Sequence, residues 1–321
     1  MRKHKSVPAY IFSGVGIAYL GFLLIYYSVY ISIFFPFYFS SSFGFFTSFS
    51  TFSLLLSDFS MYLIAFPLFM LIFKSFPSMH LSPPPNKKIS IWLFLKLILP
   101  AIPISRLINY IYLQFLSLLK IDEDLLGTAF DGVHPIIVFI TVSVIAPIME
   151  ELVFRKALYN KISAYGSRAY IFTSALFFGL FHMNVLQGTY ASILGVFLAW
   201  LMYHTGKVIY PILGHFLFNL LGSGLPILLS LLSIPERKYI LICDSIEYGF
   251  IGLGIIAGIF LAVDLAHKKI SLHERGNLPV PASKEIVINI GYIAFFVITL
   301  SSIVLTELFV SLYTFLPDSL K

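Results

Sequence analysis

The chain has 321 residues, a formal net charge of +6, a hydrophobic fraction of 59% against only 11% charged, and a mean hydropathy of +0.93. A soluble domain is about half apolar and about a quarter charged, so lipid must be the solvent for most of this surface. The single cysteine, Cys243, excludes an intramolecular disulfide framework and any multi-thiolate metal site. The basic residues sit at the ends of apolar stretches and are not interleaved with aromatics, which excludes a nucleic-acid partner.

The basic opening Met1-Arg2-Lys3-His4-Lys5 resembles a secretory signal, but the apolar run behind it continues to about Phe37 with no small-residue cleavage site. It predicts a retained first helix. A membrane-crossing helix needs about 20 mainly apolar residues, and nine segments qualify as predicted spans. In chain order they are Val7–Phe37, Thr51–Phe73, Ile89–Leu119, His134–Asn160, Ala169–Met183, Gly188–Tyr203, Val208–Leu231, Tyr248–His267 and Glu285–Leu312. The fifth and sixth are short for a full crossing, so tilted, re-entrant or protein-buried helices are open to them. A Phe/Ser-rich stretch at Phe35–Ser53 and a stiff Pro83-Pro84-Pro85 loop interrupt the pattern, and no internal repeat stands out. The predicted fold is therefore all-α: a polytopic transmembrane helix bundle of about nine spans. Residues 1–132 hold about three N-terminal helices, 133–231 a core of four, and 232–321 about two C-terminal helices.

Charge asymmetry orients the bundle. With the N-terminus in the cytoplasm, fifteen basic residues fall on the cytoplasmic side: Arg2, Lys3, Lys5, Lys74, Lys87, Lys88, Arg155, Lys156, Lys161, Arg168, Lys207, Lys268, Lys269, Arg275 and Lys284. Four (Lys120, Arg237, Lys238, Lys321) fall outside, beside the acidic Asp122-Glu123-Asp124, while Lys96 and Arg106 lie within the third span. The expectation is a multi-pass protein of the cell membrane with its N-terminus cytoplasmic and its C-terminus outside.

Ionisable residues deep in apolar helices are costly and commonly do a job. Most of them cluster between His134 and Leu231. The fourth span carries Glu150-Glu151 and Arg155. Glu151 and Arg155, four apart, share a face and can pair, while Glu150 points about 100° away and is free for another role. The bland reading of both glutamates, an interfacial position, stays open. The fifth span carries Phe178 and His182 on one face, and a lone histidine there can equally be a satisfied core residue. The seventh carries His215 and Asn219, which can equally bridge helices by hydrogen bonds. Measured from the cytoplasmic helix ends at 1.5 Å per residue, Glu150 lies roughly 16 Å deep, His182 roughly 21 Å, His215 roughly 12 Å and Asn219 roughly 18 Å. Four polar residues from three helices thus share a band of about 10 Å, which points to one protein-lined pocket.

Such a pocket suits hydrolysis. A carboxylate beside a histidine can hold and deprotonate a water, and a second histidine with an asparagine can donate to the oxyanion formed at an amide carbonyl. Two histidines and a glutamate also match the ligand set of catalytic zinc, although no His-Glu-x-x-His motif is present. If zinc is bound, its ligands would be Glu150, His182 and His215; otherwise no cofactor is required. Gly222-Ser223-Gly224 lacks the Gly-x-Ser-Gly spacing of rhomboid-type serine proteases, and no Gly-x-Gly-Asp pair suggests an aspartyl type.

Taken together, Glu150-Glu151-x-x-x-Arg155, Phe178-x-x-x-His182 and His215-x-x-x-Asn219 on successive helices resemble the CPBP or Abi family, the type II CAAX-prenyl-endopeptidase-like intramembrane proteases. The resemblance covers about His134–Leu231. It implies a glutamate-dependent endopeptidase in which Glu150 activates water together with His182, His215 and Asn219 form the oxyanion site, and Glu151 and Arg155 support them. It further implies a membrane-associated peptide or protein substrate within the lipid bilayer, and a metal dependence that varies in the family's description. The alternatives are a non-catalytic protein of the same fold acting in bacteriocin immunity or as a scaffold, and a transporter with the pocket as a proton relay.

Overall fold

The computed structural model describes residues 7–39, 49–118, 130, 132–271, 274–279 and 286–315. The acidic cluster Asp122-Glu123-Asp124 and the basic residues Arg2, Lys3, Lys5, Lys120, Lys284 and Lys321 lie outside the described residues. Among the described residues the fold is all-helical, and the nine predicted spans correspond to nine helices: α1 Val7–Phe39, α2 Ser50–Ser75, α3 Ile91–Leu118, α4 Pro135–Tyr165, α5 Ser167–Phe181, α6 Val185–Thr205, α7 Ile209–Leu229, α8 Glu236–Ala266 and α9 Ile290–Phe315. Seven of them are long and apolar enough to cross a bilayer; α5 and the apolar part of α9, Ile290–Thr306, are shorter. The protein is a multi-pass membrane protein.

Three boundaries differ from the sequence expectation. Helix α8 starts at Glu236 rather than Tyr248, because Arg237, Lys238, Asp244 and Glu247 hide its first turns from a hydropathy argument while remaining compatible with a helix. Helix α4 continues to Tyr165 rather than stopping at Asn160. Helix α6, at 21 residues, is a full-length span, with the Asn184 side chain accepting from Gln187 N at 2.8 Å to cap its start. Two cations assigned to the fourth span's loop also belong elsewhere: Arg155 is fully buried in α4, and Lys161 is 3% exposed, its ammonium donating to Phe76 O and to Ser78 Oγ. Removing both leaves the charge asymmetry in place. Cys243 is half-buried.

Wide π-helical turns recur where prolines interrupt the spans. The turns at Phe59–Ala65, Ile140–Ile145 and Leu220–Gly224 are each followed, two residues on, by Pro67, Pro147 and Pro226. A proline inside a helix lacks an N–H and its ring clashes with the carbonyl four residues earlier; widening the preceding turn relieves that clash. A fourth π turn, Leu152–Ala157, has no proline. Its backbone carbonyls are taken by hydroxyls of neighbouring helices: Tyr19 donates to Val153 O at 2.8 Å, Ser174 to Phe154 O at 2.8 Å and Tyr170 to Arg155 O at 3.0 Å.

Helices α5 and α6 form a tight hairpin. A Cβ at Gly179 would sit 2.5 Å from Gly188 O and 1.8 Å from Ser192 Oγ, so the two backbones approach as only small residues allow. Helices α1 and α9 buttress this hairpin: Phe177 stacks on Phe295 at 4.3 Å, and Tyr292 donates to Thr173 Oγ1 at 2.9 Å. Helix α8 docks on α3 through Lys96 with Asp264 and through Arg106 Nε to Glu247 Oε1 at 3.0 Å. One buried hydrophobic core runs continuously from α1 to α9.

Candidate active site

Glu150 and Glu151 are the last residues before the proline-free π turn of α4. Their environments are opposite: the Glu151 side chain is 0% exposed, while that of Glu150 is 20% exposed. Arg155 Nε lies 3.0 Å from Glu151 Oε2, with both side chains wholly buried, so the i, i+4 pair is formed. The two Nη nitrogens of Arg155 have no hydrogen-bond partner among the described residues. The guanidinium instead lies over the Phe178 ring, 4.1 Å from its centroid, a cation–π contact strengthened by desolvation. Phe178 therefore holds the arginine by its face and packs edge-on against both histidines, with ring centroids 5.0 Å from His182 and 5.5 Å from His215.

His215 on α7 is buried and connects the two glutamates. Its Nδ1 is 2.9 Å from Glu151 Oε1, and its Nε2 is 3.8 Å from Glu150 Oε2. A carboxylate oxygen accepts, so Nδ1 carries a proton toward Glu151, and Nε2 is the ring nitrogen that faces Glu150. The resulting chain is Arg155–Glu151–His215–Glu150, fully buried at one end and reachable at the other.

His182 occupies the hairpin tip, as the residue closing α5, and Met183 beyond it takes the left-handed conformation with φ 52. Its Nδ1 donates to Phe178 O at 2.8 Å, which leaves Nε2 as the free ring nitrogen. No hydrogen bond or ion pair joins it to Glu150 among the described residues. Asn219 donates one N–H to Val142 O at 2.8 Å, a carbonyl within the π turn at Ile140–Ile145, and retains a second N–H. The structure thus brings together Glu150, Glu151, Arg155, Phe178 and His215 in one contact network, with His182 joined through Phe178 and Asn219 one turn along α7 from His215.

The zinc ligand set Glu150, His182 and His215 is not drawn together as a metal-holding group: among the described residues no three His, Cys, Asp or Glu side chains converge as one. No step below passes through a metal.

Four polar residues outside the sequence motifs border the network. Asp58 on α2 accepts from Thr141 Oγ1 at 3.1 Å. Tyr62, one turn on, interacts electrostatically with both Asp58 and Glu150. Tyr190 on α6 does so with Glu150 and Arg106, and Arg106 Nη2 donates to Gly222 O at 3.1 Å. Asp58 and Tyr62 share a helical face and Arg106 is an ionisable residue inside a span, but nothing in the sequence links them to the motif helices; only the tertiary packing groups them.

Residues 132–221 match the family described as Rce1-like, type II CAAX prenyl endopeptidase Rce1-like. The human protein CAAX prenyl protease 2 (Homo sapiens) is 30% identical over 119 residues, covering 30% of this chain and 36% of the human protein. The match therefore spans about a third of that relative's length. No solved structure matches the chain.

Proposed function

We propose, on the premise that residues 132–221 are of the Rce1-like family, that this chain is an intramembrane endopeptidase hydrolysing peptide bonds of a membrane-associated substrate. The observation that carries the mechanism is the 3.8 Å approach of His215 Nε2 to a partly exposed Glu150, with His215 held from behind by the buried Glu151–Arg155 pair. Glu150 is the general base. It accepts a proton as a water oxygen attacks the carbonyl carbon, and the carbonyl electrons move onto oxygen. It then returns the proton to the leaving nitrogen as the C–N bond breaks and the oxyanion collapses. Glu151 fixes the tautomer and orientation of His215, the role that a buried carboxylate plays behind a catalytic imidazole. The free N–H of Asn219 and the His182 ring at the hairpin tip face the developing oxyanion or orient the water. The chain's basic end faces the cytoplasm and the C-terminus the outside, as the charge asymmetry favours.

The relative's name supplies the test substrate, a prenylated CAAX-terminated peptide. With the purified chain reconstituted in liposomes, Glu150→Gln is expected to lower cleavage by at least ~100-fold, the lower end of what a positioned general base contributes. Its melting temperature should stay unchanged, because no buried ion pair is lost. Full activity in Glu150→Gln would falsify the assignment. A wild-type chain that cleaves neither this peptide nor any membrane protein in a proteome-wide comparison, yet still protects its host, would favour the immunity or scaffold reading.

A further inference from the structure

A cavity of about 500 Å³ opens at the basic end of the bundle, away from the Glu150 network. Its walls come from three separate stretches: Lys87 and Leu93 at the entry to α3, Trp200 and His204 near the end of α6, and Lys269, Glu274 and Arg275 in the segment after α8. One negative charge sits among three positive ones, and that one is already shared. Glu274 Oε2 pairs with Lys87 at 3.1 Å, and Glu274 Oε1 meets His204 Nδ1 at 2.5 Å. Lys269 touches Asp264 only loosely, at 3.6 Å, with its side chain 67% exposed, and Arg275 is exposed. The cavity therefore presents an excess of positive charge on exposed side chains around a firm floor. That floor is Trp200, which is 2% exposed, stacks on His204 at 4.4 Å and donates from Nε1 to Ser271 O at 3.0 Å.

The cavity's height in the bundle selects the ligand. It lies where α6 ends, α8 ends and α3 begins, at the ends of three helices long and apolar enough to cross a bilayer. On the first turn of α3, beside lining residue Leu93, Ile91 is 71% exposed and Trp92 48% exposed, with Trp92 edge-on to the half-exposed Phe260 of α8 at 5.7 Å. A tryptophan exposed at this level is characteristic of the bilayer interface. A molecule with an anionic head in the cavity and apolar tails along the Ile91–Trp92–Phe260 face satisfies both features, and basic pockets between spanning helices take phospholipid headgroups in this manner.

We infer that this cavity is a binding site for the phosphate-bearing headgroup of an anionic phospholipid, with the acyl chains lying against α3 and α8. The site is separate from the peptidase reading and stands or falls on binding alone. The chain contains two tryptophans, so Trp92→Phe leaves Trp200 as the sole tryptophan emitter, seated in the cavity floor. In that background the full chain is reconstituted in phosphatidylcholine vesicles with or without phosphatidylglycerol, and Trp200 emission is followed as phosphatidylglycerol is raised. A saturable change is expected, and Lys269→Ala/Arg275→Ala should shift its midpoint by about tenfold or more, each basic contact being worth about 1 kcal/mol. The exposed pair Lys74→Ala/Lys207→Ala, at the same end but outside the cavity, should shift it much less. Equal shifts in the two double variants would overturn the site in favour of diffuse surface attraction. Saturation by inorganic phosphate alone, in phosphatidylcholine vesicles, would overturn the lipid assignment in favour of a soluble phosphate. Melting temperatures of both double variants should match the parent, as expected for exposed side chains, which separates a binding defect from misfolding.

Discussion

At the scale of single residues, the buried Arg155–Glu151–His215 chain is where charge is most expensive. With Arg155 and Glu151 both wholly buried, removing one partner strands the other charge in a low-dielectric interior, whereas removing both can be nearly neutral. Glu151→Gln is expected to destabilise the protein by about 3–5 kcal/mol, read as a large fall in melting temperature in detergent. Glu151→Gln/Arg155→Met should recover most of that loss while leaving cleavage low, because His215 then lacks the carboxylate that orients it. A double variant no more stable than the single one would show that the pair is not held by mutual charge. The Glu151–Arg155 contact is readable from sequence, since four residues on a helix set a shared face. The contact between Glu151 and His215 is not: they lie 64 residues apart, and the rotation of α7 about its axis is decided by packing. Asp58 and Tyr62 escape for a related reason, as neither belongs to a motif that marks it out within its own span.

At the scale of elements, His182 depends on how closely α5 and α6 can approach. It sits at the hairpin tip, and backbone proximity sets where the tip falls relative to α7. Gly179→Ala would place a methyl group 1.8 Å from Ser192 Oγ and 2.5 Å from Gly188 O. A serine side chain can rotate away, but a backbone carbonyl cannot without moving the helix. Gly179→Ala should therefore cost ~1–3 kcal/mol, the usual range for overpacking, and lower peptide cleavage. Adding Ser192→Ala should restore neither melting temperature nor activity. Recovery in the double variant would mean that the side chain, not the helix separation, is the constraint. The short length of α5 is visible in the sequence, but its consequence is not. At 15 residues it reaches about 22 Å, short of a full bilayer, so it needs α1, α6 and α9 to cover it. The prolines that follow three of the π turns are equally visible, but the widening they impose emerges only once the hydrogen-bond ladder is traced.

At the scale of the whole molecule, the arrangement of charges along α8 makes the orientation measurable. The helix has 31 residues and so extends about 46 Å, well beyond a hydrocarbon core of about 30 Å. Its last turns are fixed at the basic end, where Asp264 pairs with Lys96 near the start of α3. Counting back from Asp264 to Cys243 spans about 31 Å of helix, which brings the half-buried cysteine to the opposite interface, among Asp244, Glu247 and the exposed Leu241. Because Cys243 is the only cysteine, a membrane-impermeant maleimide becomes a clean reporter. In intact cells it should label wild-type protein from outside. In a Cys243→Ser background, Lys207→Cys, placed at the exposed α6–α7 turn of the basic end, should be protected until the membrane is permeabilised. Labelling of both positions from one side would break the alternation of nine helices, and labelling in the reverse sense would invert the bundle. Inversion would also carry the lipid cavity away from the cytoplasmic leaflet, whose anionic lipids give it its negative surface potential, so the orientation experiment bears directly on the headgroup site. It leaves the chemistry of Glu150 untouched, since that network lies between the two faces and is defined by its own contacts.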